Sequence, residues 1–113
     1  MLDKKNRIRL NKEFDQIFKT GQSFYGKAFG VKVIKTSNEK TRLGLLVGTK
    51  ISKKAVVRNK IKRQIREIVR AELPLLRGSH DLAVIALPLS AESDFSFLKS
   101  DLQAAFKKLR LYR

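Results

Sequence analysis

Residues 57–68 read Val57-Arg58-Asn59-Lys60-Ile61-Lys62-Arg63-Gln64-Ile65-Arg66-Glu67-Ile68. Two patterns are superimposed in this stretch. At 100° per residue with Ile61 set to zero, Val57, Ile61, Ile65, Ile68 and Val69 fall within about 120° of arc. Asn59, Lys62, Arg63, Arg66 and Arg70 fall between about 100° and 200°, on the other side. An apolar face and a cationic face on one period specify a folded amphipathic helix. The spacing predicts it over roughly residues 53–73, with Pro74 as its stop. Arg58 sits at the edge of the apolar arc, where its stem can lie on the core while its guanidinium reaches out. Glu67 stands four residues after Arg63, within reach of a pair worth only about 0.3–0.5 kcal/mol, which does not cancel the stripe.

On either side of this helix the period changes to two. Upstream, Leu43, Leu45 and Val47 share one face of a strand over residues 42–49, with Gly44, Leu46 and Gly48 on the other. Before it, Phe29, Val31 and Val33 alternate with Gly30 and Lys32, and residues 36–40 form a polar turn. Residues 23–49 therefore read as a hairpin, its first run bent into two strands around Gly26. Downstream, Leu82-Ala83-Val84-Ile85-Ala86-Leu87 is apolar on both faces, as a central strand would be, and Pro88 ends it. A first helix begins at Asn11 and stops at Gly21, with Phe14, Ile17 and Phe18 on one face. A last helix starts at Ala91 or Asp94 and ends near Leu109. Its apolar stripe is Phe95, Leu98, Leu102, Ala105, Phe106 and Leu109. The order is α-β-β-β-α-β-α. The fold class is α+β: a small sandwich of one sheet with helices packed on it, in a single domain over residues 1–113.

The chain of 113 residues has 26 Lys and Arg against 10 Asp and Glu, a formal charge of +16, and a sequence pI near 10.6. Half of that charge lies in residues 50–70, where nine Lys or Arg meet one acid, Glu67. Residues 71–98 run the other way, with a net of −3. A hydrophobic fraction of 42% separates the chain from disordered basic tails. Cysteine is absent, so there is no disulfide framework and no thiolate metal site, which fits a reducing cytoplasm. No apolar run approaches the roughly 20 residues of a membrane span, and the N-terminus has no secretory pattern.

A rigid cationic stripe on a small domain suits a regular polyanion, and nucleic acid is the first candidate. Arginine presents a planar fork to phosphate oxygens, and Asn59 can bond a phosphate, a 2′-hydroxyl or a base edge. Like charges at Lys62–Arg66 and Arg66–Arg70 repel in the free protein, and a phosphate backbone would relieve them. Contact with six to ten phosphates would lower affinity roughly 10³–10⁵-fold between 50 and 200 mM salt.

Protein-borne catalysis finds little support. His80 is the only histidine and reads as a loop residue. The ten carboxylates form no cluster in sequence, and Gly44 to Lys50 lacks the spacing of a phosphate loop. Three rival readings share the charge. They are a ribosomal or assembly RNA-binding protein, a protein-only nuclease, and a helix-turn-helix DNA binder. The last is weakest, because the basic helix lies between strands.

The segment from Lys53-Lys54 through Val57-Arg58-Asn59-Lys60 and Lys62-Arg63 to Arg66 resembles the signature of the bacterial ribonuclease P protein subunit. Lys60 stands where that family more often has a second arginine. The resemblance extends along the chain. It includes Asn6-Arg7-Ile8 with Glu13-Phe14, Ile17-Phe18 and Gly21, then Arg42-Leu43-Gly44-Leu45, then Asp81 to Ala86. It ends with Leu102, Ala105-Phe106 and Lys108-Leu109. It implies a left-handed β-α-β crossover at the signature helix, where the general rule gives a right-handed one. It implies the protein subunit of an endoribonuclease ribonucleoprotein that removes the 5′ leader from precursor tRNA. In that assembly the RNA subunit performs the hydrolysis and holds Mg²⁺, and the protein binds no cofactor of its own and no catalytic residue is expected in it. Partners would be the catalytic RNA and precursor tRNA, with no DNA and no membrane, in the cytoplasm. Lys53, Lys54, Arg58, Asn59, Lys60, Lys62, Arg63 and Arg66 would bind the catalytic RNA, with Arg7 and Arg9 as N-terminal basic contacts. Phe14, Phe18, Phe29 and Lys32 would meet the single-stranded leader. Lys32 stands where some members carry an aromatic ring. Leu87 replaces a basic residue common in the family, so no phosphate contact is expected there.

Overall fold

The run that is apolar on both faces becomes an interior strand of the sheet. In the computed structural model, which describes residues 19, 21–36 and 40–113, β4 (His80–Ala86) lies between β2 (Phe29–Lys35) and β3 (Arg42–Leu46). β1 (Gln22–Tyr25) flanks β2, giving the order β1-β2-β4-β3. The first helix expected from the sequence, with Phe14, Phe18, Arg7 and Arg9, lies outside the described residues.

The strands form where alternation placed them, but their pairing differs from the expectation. β2 and β3 are not a hairpin. β4 separates them, antiparallel to β2 and parallel to β3, with Val31 opposite Val84 and Leu45 opposite Val84 on its other side. The hairpin is the shorter one at Gly26: β1 pairs with β2 from Gln22↔Val33 to Tyr25↔Gly30, and the Gly26 N–H donates to the Phe29 carbonyl at 2.8 Å. The physical reason is coverage. A strand apolar on both faces is most stable flanked on both edges.

A parallel pair needs a crossover, and α1 (Ala55–Glu72) supplies it between β3 and β4. A 3₁₀ turn with Pro74 at its centre, Leu73–Leu75, follows directly. α1 buries Ile61, Ile65, Ile68 and Val69. α2 (Phe95–Lys108) buries Leu98, Leu102, Ala105 and Phe106. These join Phe29, Val31, Val33, Leu43, Leu82, Val84 and Ala86, which the register places on one face of the sheet. Asp94 fixes the start of α2: its Oδ1 accepts the Phe97 N–H at 2.8 Å. Phe95, expected in the apolar stripe, is instead 40% exposed at the first position of the helix.

Three polar contacts tie these elements together. Asp101 of α2 accepts the backbone N–H groups of Lys27, Ala28 and Phe29 at 3.0–3.1 Å, which clamps the β1–β2 turn onto the helix. A Cβ at Gly26 would sit 2.8 Å from both Asp101 oxygens, so this turn takes glycine. On the opposite sheet face, Arg42 donates a two-pronged fork to Asp81 at 2.9 and 2.7 Å across the β3–β4 pair. Buried Glu72, at the end of α1, accepts from the Gln103 side chain of α2 and also bonds Tyr112.

Candidate nucleic-acid interface

The inward stripe of isoleucines fixes how α1 is rotated, and that rotation decides what faces outward. Lys53, Lys54, Asn59, Lys60 and Arg63 are exposed, and Lys62 and Arg66 are half-buried along their stems. The helix and the two residues before it thus bring together Lys53, Lys54, Arg58, Asn59, Lys60, Lys62, Arg63 and Arg66, the residues expected to meet the catalytic RNA apart from Arg7 and Arg9, which lie outside the described residues. Lys60, Lys62, Arg63 and Arg66 make no salt bridge among the described residues.

Two details change the expected picture. The Arg58 Nη1 donates to the Ser52 carbonyl at 2.9 Å, so its guanidinium folds back onto the loop that enters the helix. Arg58 therefore braces that loop with one nitrogen and leaves its other donors for a ligand. Glu67 pairs with Arg70 at 2.8 Å, and not with Arg63. A glutamate N-terminal to its cation is the better-oriented arrangement on a helix. The Arg70 hydrogen bond and charge hold the Glu67 carboxyl below its usual range. Arg63 is thereby left to the solvent side.

The entry to α1 adds to the field. Lys54 occupies the cap position without a side-chain hydrogen bond to the helix, and no acid lies in the first turn. The Ser52 Oγ accepts the Lys54 N–H at 3.1 Å. The positive end of the helix dipole thus coincides with Lys53 and Lys54, where most helices place a carboxylate. Val56 is 81% exposed beside them, an apolar side chain next to the two lysines.

The residues expected to meet a single strand divide. Phe14 and Phe18, with Arg7 and Arg9, lie outside the described residues. Phe29 is 0% exposed in the core beneath the helices, so its ring presents no face to a base. Lys32 lies three positions along the same strand, hence on the opposite face of the sheet, and is half-buried. The two do not form one surface. The aromatic neighbour of Lys32 is Tyr25, which the sequence reading passed over. Its ring is 53% exposed and lies across Gly30, where a Cβ would come within 2.3 Å of Tyr25 Cε1. The signal available was the period: Ser23, Tyr25, Gly30 and Lys32 share one face by register.

Fold and surface together define a class: a small basic α+β protein whose parallel β-α-β unit uses a cationic helix as its crossover. The family model for Ribonuclease P matches residues 2–110. The chain is 38% identical to the ribonuclease P protein component of Bacillus pumilus, over 99% of this chain and 94% of that protein. The solved structure of the Staphylococcus aureus RNase P protein superposes with a TM-score of 0.88 at 29% identity, covering 96% of this chain and 98% of that one. The RNase P protein from Thermotoga maritima gives 0.79 at 36% identity, covering 87% and 92%. The chain belongs to the ribonuclease P protein family.

Proposed function

We propose that this protein is the protein subunit of ribonuclease P and acts as one RNA-binding domain in the cytoplasm, binding the catalytic RNA and the 5′ leader of precursor tRNA. The single observation that carries the reading is the outward face of α1. There Asn59, Lys60, Lys62, Arg63 and Arg66 stand together without a neutralising carboxylate among the described residues. In the proposed assembly Lys53, Lys54 and the uncapped start of α1 hold phosphates of the catalytic RNA. The stripe from Asn59 to Arg66 continues that contact, and Arg7 and Arg9 extend it. The leader meets the other side of the sheet at Lys32, and Phe14 and Phe18 take part in that contact. Tyr25 supplies there the stacking face that buried Phe29 does not.

The RNA subunit performs the hydrolysis in this reading, and Mg²⁺ bound to that RNA supplies the activated water and the stabilised leaving group. Among the described residues, no three of His, Asp and Glu come together in a group able to hold a metal ion. The protein's own contribution is charge neutralisation and positioning: cations lower the repulsion between catalytic RNA and substrate, and the leader contact fixes the scissile bond's register. No helix among the described residues is long and apolar enough to cross a membrane.

The test is binding of the cognate catalytic RNA across a salt series. Arg63→Ala and Arg66→Ala should each weaken binding and reduce the slope of log K against log salt by about 1. Unchanged affinity and slope in both variants would remove α1 from the interface.

A further inference from the structure

A cavity of about 470 Å³ opens at the end of the sheet where Lys35 pairs with His80. That is the end away from the chain's entry into α1, which follows the Leu46–Ile85 end. No residue of α1 lines it. Its charged lining is all of one sign: Lys35, Arg77 and Arg110, with the His80 ring beside them. The side chains of Lys35, Arg77 and Arg110 make no ion pair or hydrogen bond among the described residues. The volume lies in the range of small-ligand sites.

The backbone around this cavity is held in place and strained. The Arg77 N–H donates to the Leu111 carbonyl at 2.7 Å, and the Arg77 carbonyl accepts from the His80 Nδ1 at 3.3 Å. The Thr36 N–H donates to the Ser79 carbonyl at 2.8 Å. Ser79 and Arg110, with φ of 65° and 57°, are the only non-glycine residues with positive φ among those described; Arg110 lines the cavity and Ser79 lies between the lining residues Gly78 and His80. Arg110 ends α2 in a Schellman turn: the Leu111 N–H donates to Phe106 at 3.0 Å and the Arg110 N–H to Lys107 at 3.1 Å. That left-handed position favours glycine, and an arginine there carries a backbone cost. The observed residue brings a cation to the cavity at the expense of the better turn. Strain of this kind clusters at ligand-binding sites, and here it lies beside cations that share one concave lining.

We propose that Lys35, Arg77 and Arg110 form a phosphate-binding site, separate from the α1 surface. The ligand class is a phosphate group, either a free anion or a phosphodiester of a polynucleotide. Arg77 and Arg110 offer planar forks to its oxygens and Lys35 a point charge. Two arginines from different segments fix its orientation, one from the loop before β4 and one from the end of α2.

Backbone amide shifts of the whole protein, followed by NMR at constant ionic strength, test this residue by residue. Inorganic phosphate is one titrant and a short oligouridylate the other. The amides of Gly78, Ser79, His80, Arg110 and Leu111 should move and saturate together, on a curve distinct from that of the α1 amides. Arg110→Gly relieves the strained turn while removing the guanidinium. Its melting temperature should rise while phosphate affinity at the cavity falls about tenfold, the loss expected for one charge-assisted contact. Arg77→Ala should weaken the same curve, and in both variants the α1 response should persist. Saturation by inorganic phosphate alone identifies a free-anion site, and tighter binding of the oligouridylate identifies a nucleic-acid contact. Cavity amides that stay still with both titrants, or that respond equally in Arg110→Gly and the unmodified protein, would overturn the proposal.

Discussion

At the scale of single residues, the molecule depends on a few side chains that each satisfy several partners. Asp101 accepts three backbone N–H groups from the β1–β2 turn. Asp101→Ala should therefore cost about 2–3 kcal/mol in urea unfolding, since hydrogen bonds to a charged group are strong and their donors are left unpaired. Tyr25 behaves oppositely. Gly30→Ala forces its ring aside, but the ring is exposed and can swing, so stability should change by less than about 1 kcal/mol. Affinity for a single-stranded leader should nevertheless drop in that variant, read by fluorescence with a leader oligonucleotide. Neither role was visible in composition. An aspartate in a helix gives no sign of the turn it will clamp. Tyr25 is one residue of a four-residue strand, too short for its alternation to stand out. Phe29 was legible as an apolar strand residue, and its alternation with Lys32 already put the two on opposite faces.

At the scale of elements, α1 was the most legible part of the chain, because 18 residues of steady period specify both its bounds and its rotation. Ile65→Ala should cost about 2–5 kcal/mol of stability by leaving a cavity beneath the helix. Arg63→Ala and Arg66→Ala should change stability by less than about 0.5 kcal/mol, which separates the two faces of one helix by thermal melting. Strand pairing was not legible. Period-two patterns show that strands form, but the insertion of β4 between β2 and β3 is set by long-range burial. The junction of both helices with the C-terminus has its own pH signature. Burial and the neighbouring Glu72 push the Tyr112 hydroxyl up from 10 to about 12. A raised folded value means that this group's contribution to stability is complete below pH 10 and is lost as pH rises through 12. Tyr112→Phe should therefore flatten the fall in stability over that window relative to the unmodified protein, whose lysines titrate equally in both.

At the scale of the whole molecule, the fold sorts charge by location. α1 carries the cationic face, the opposite sheet face carries Tyr25 and Lys32, and the far end of the sheet carries a third group of cations around Arg110. The first concentration was readable as a run of letters. The third was not, because Lys35, Arg77 and Arg110 are scattered in sequence and meet only through the sheet register and the turn after α2. A chain of net charge +16 with few neutralising pairs among its described residues carries a strong positive field. The anion proposed for that field is a catalytic RNA. The decisive measurement is cleavage of a precursor tRNA by the cognate RNA subunit at low Mg²⁺, with and without this protein. The account predicts that adding the protein restores release of the 5′ leader under conditions where the RNA alone is nearly inactive. Leader release at the same rate with and without the protein would contradict it.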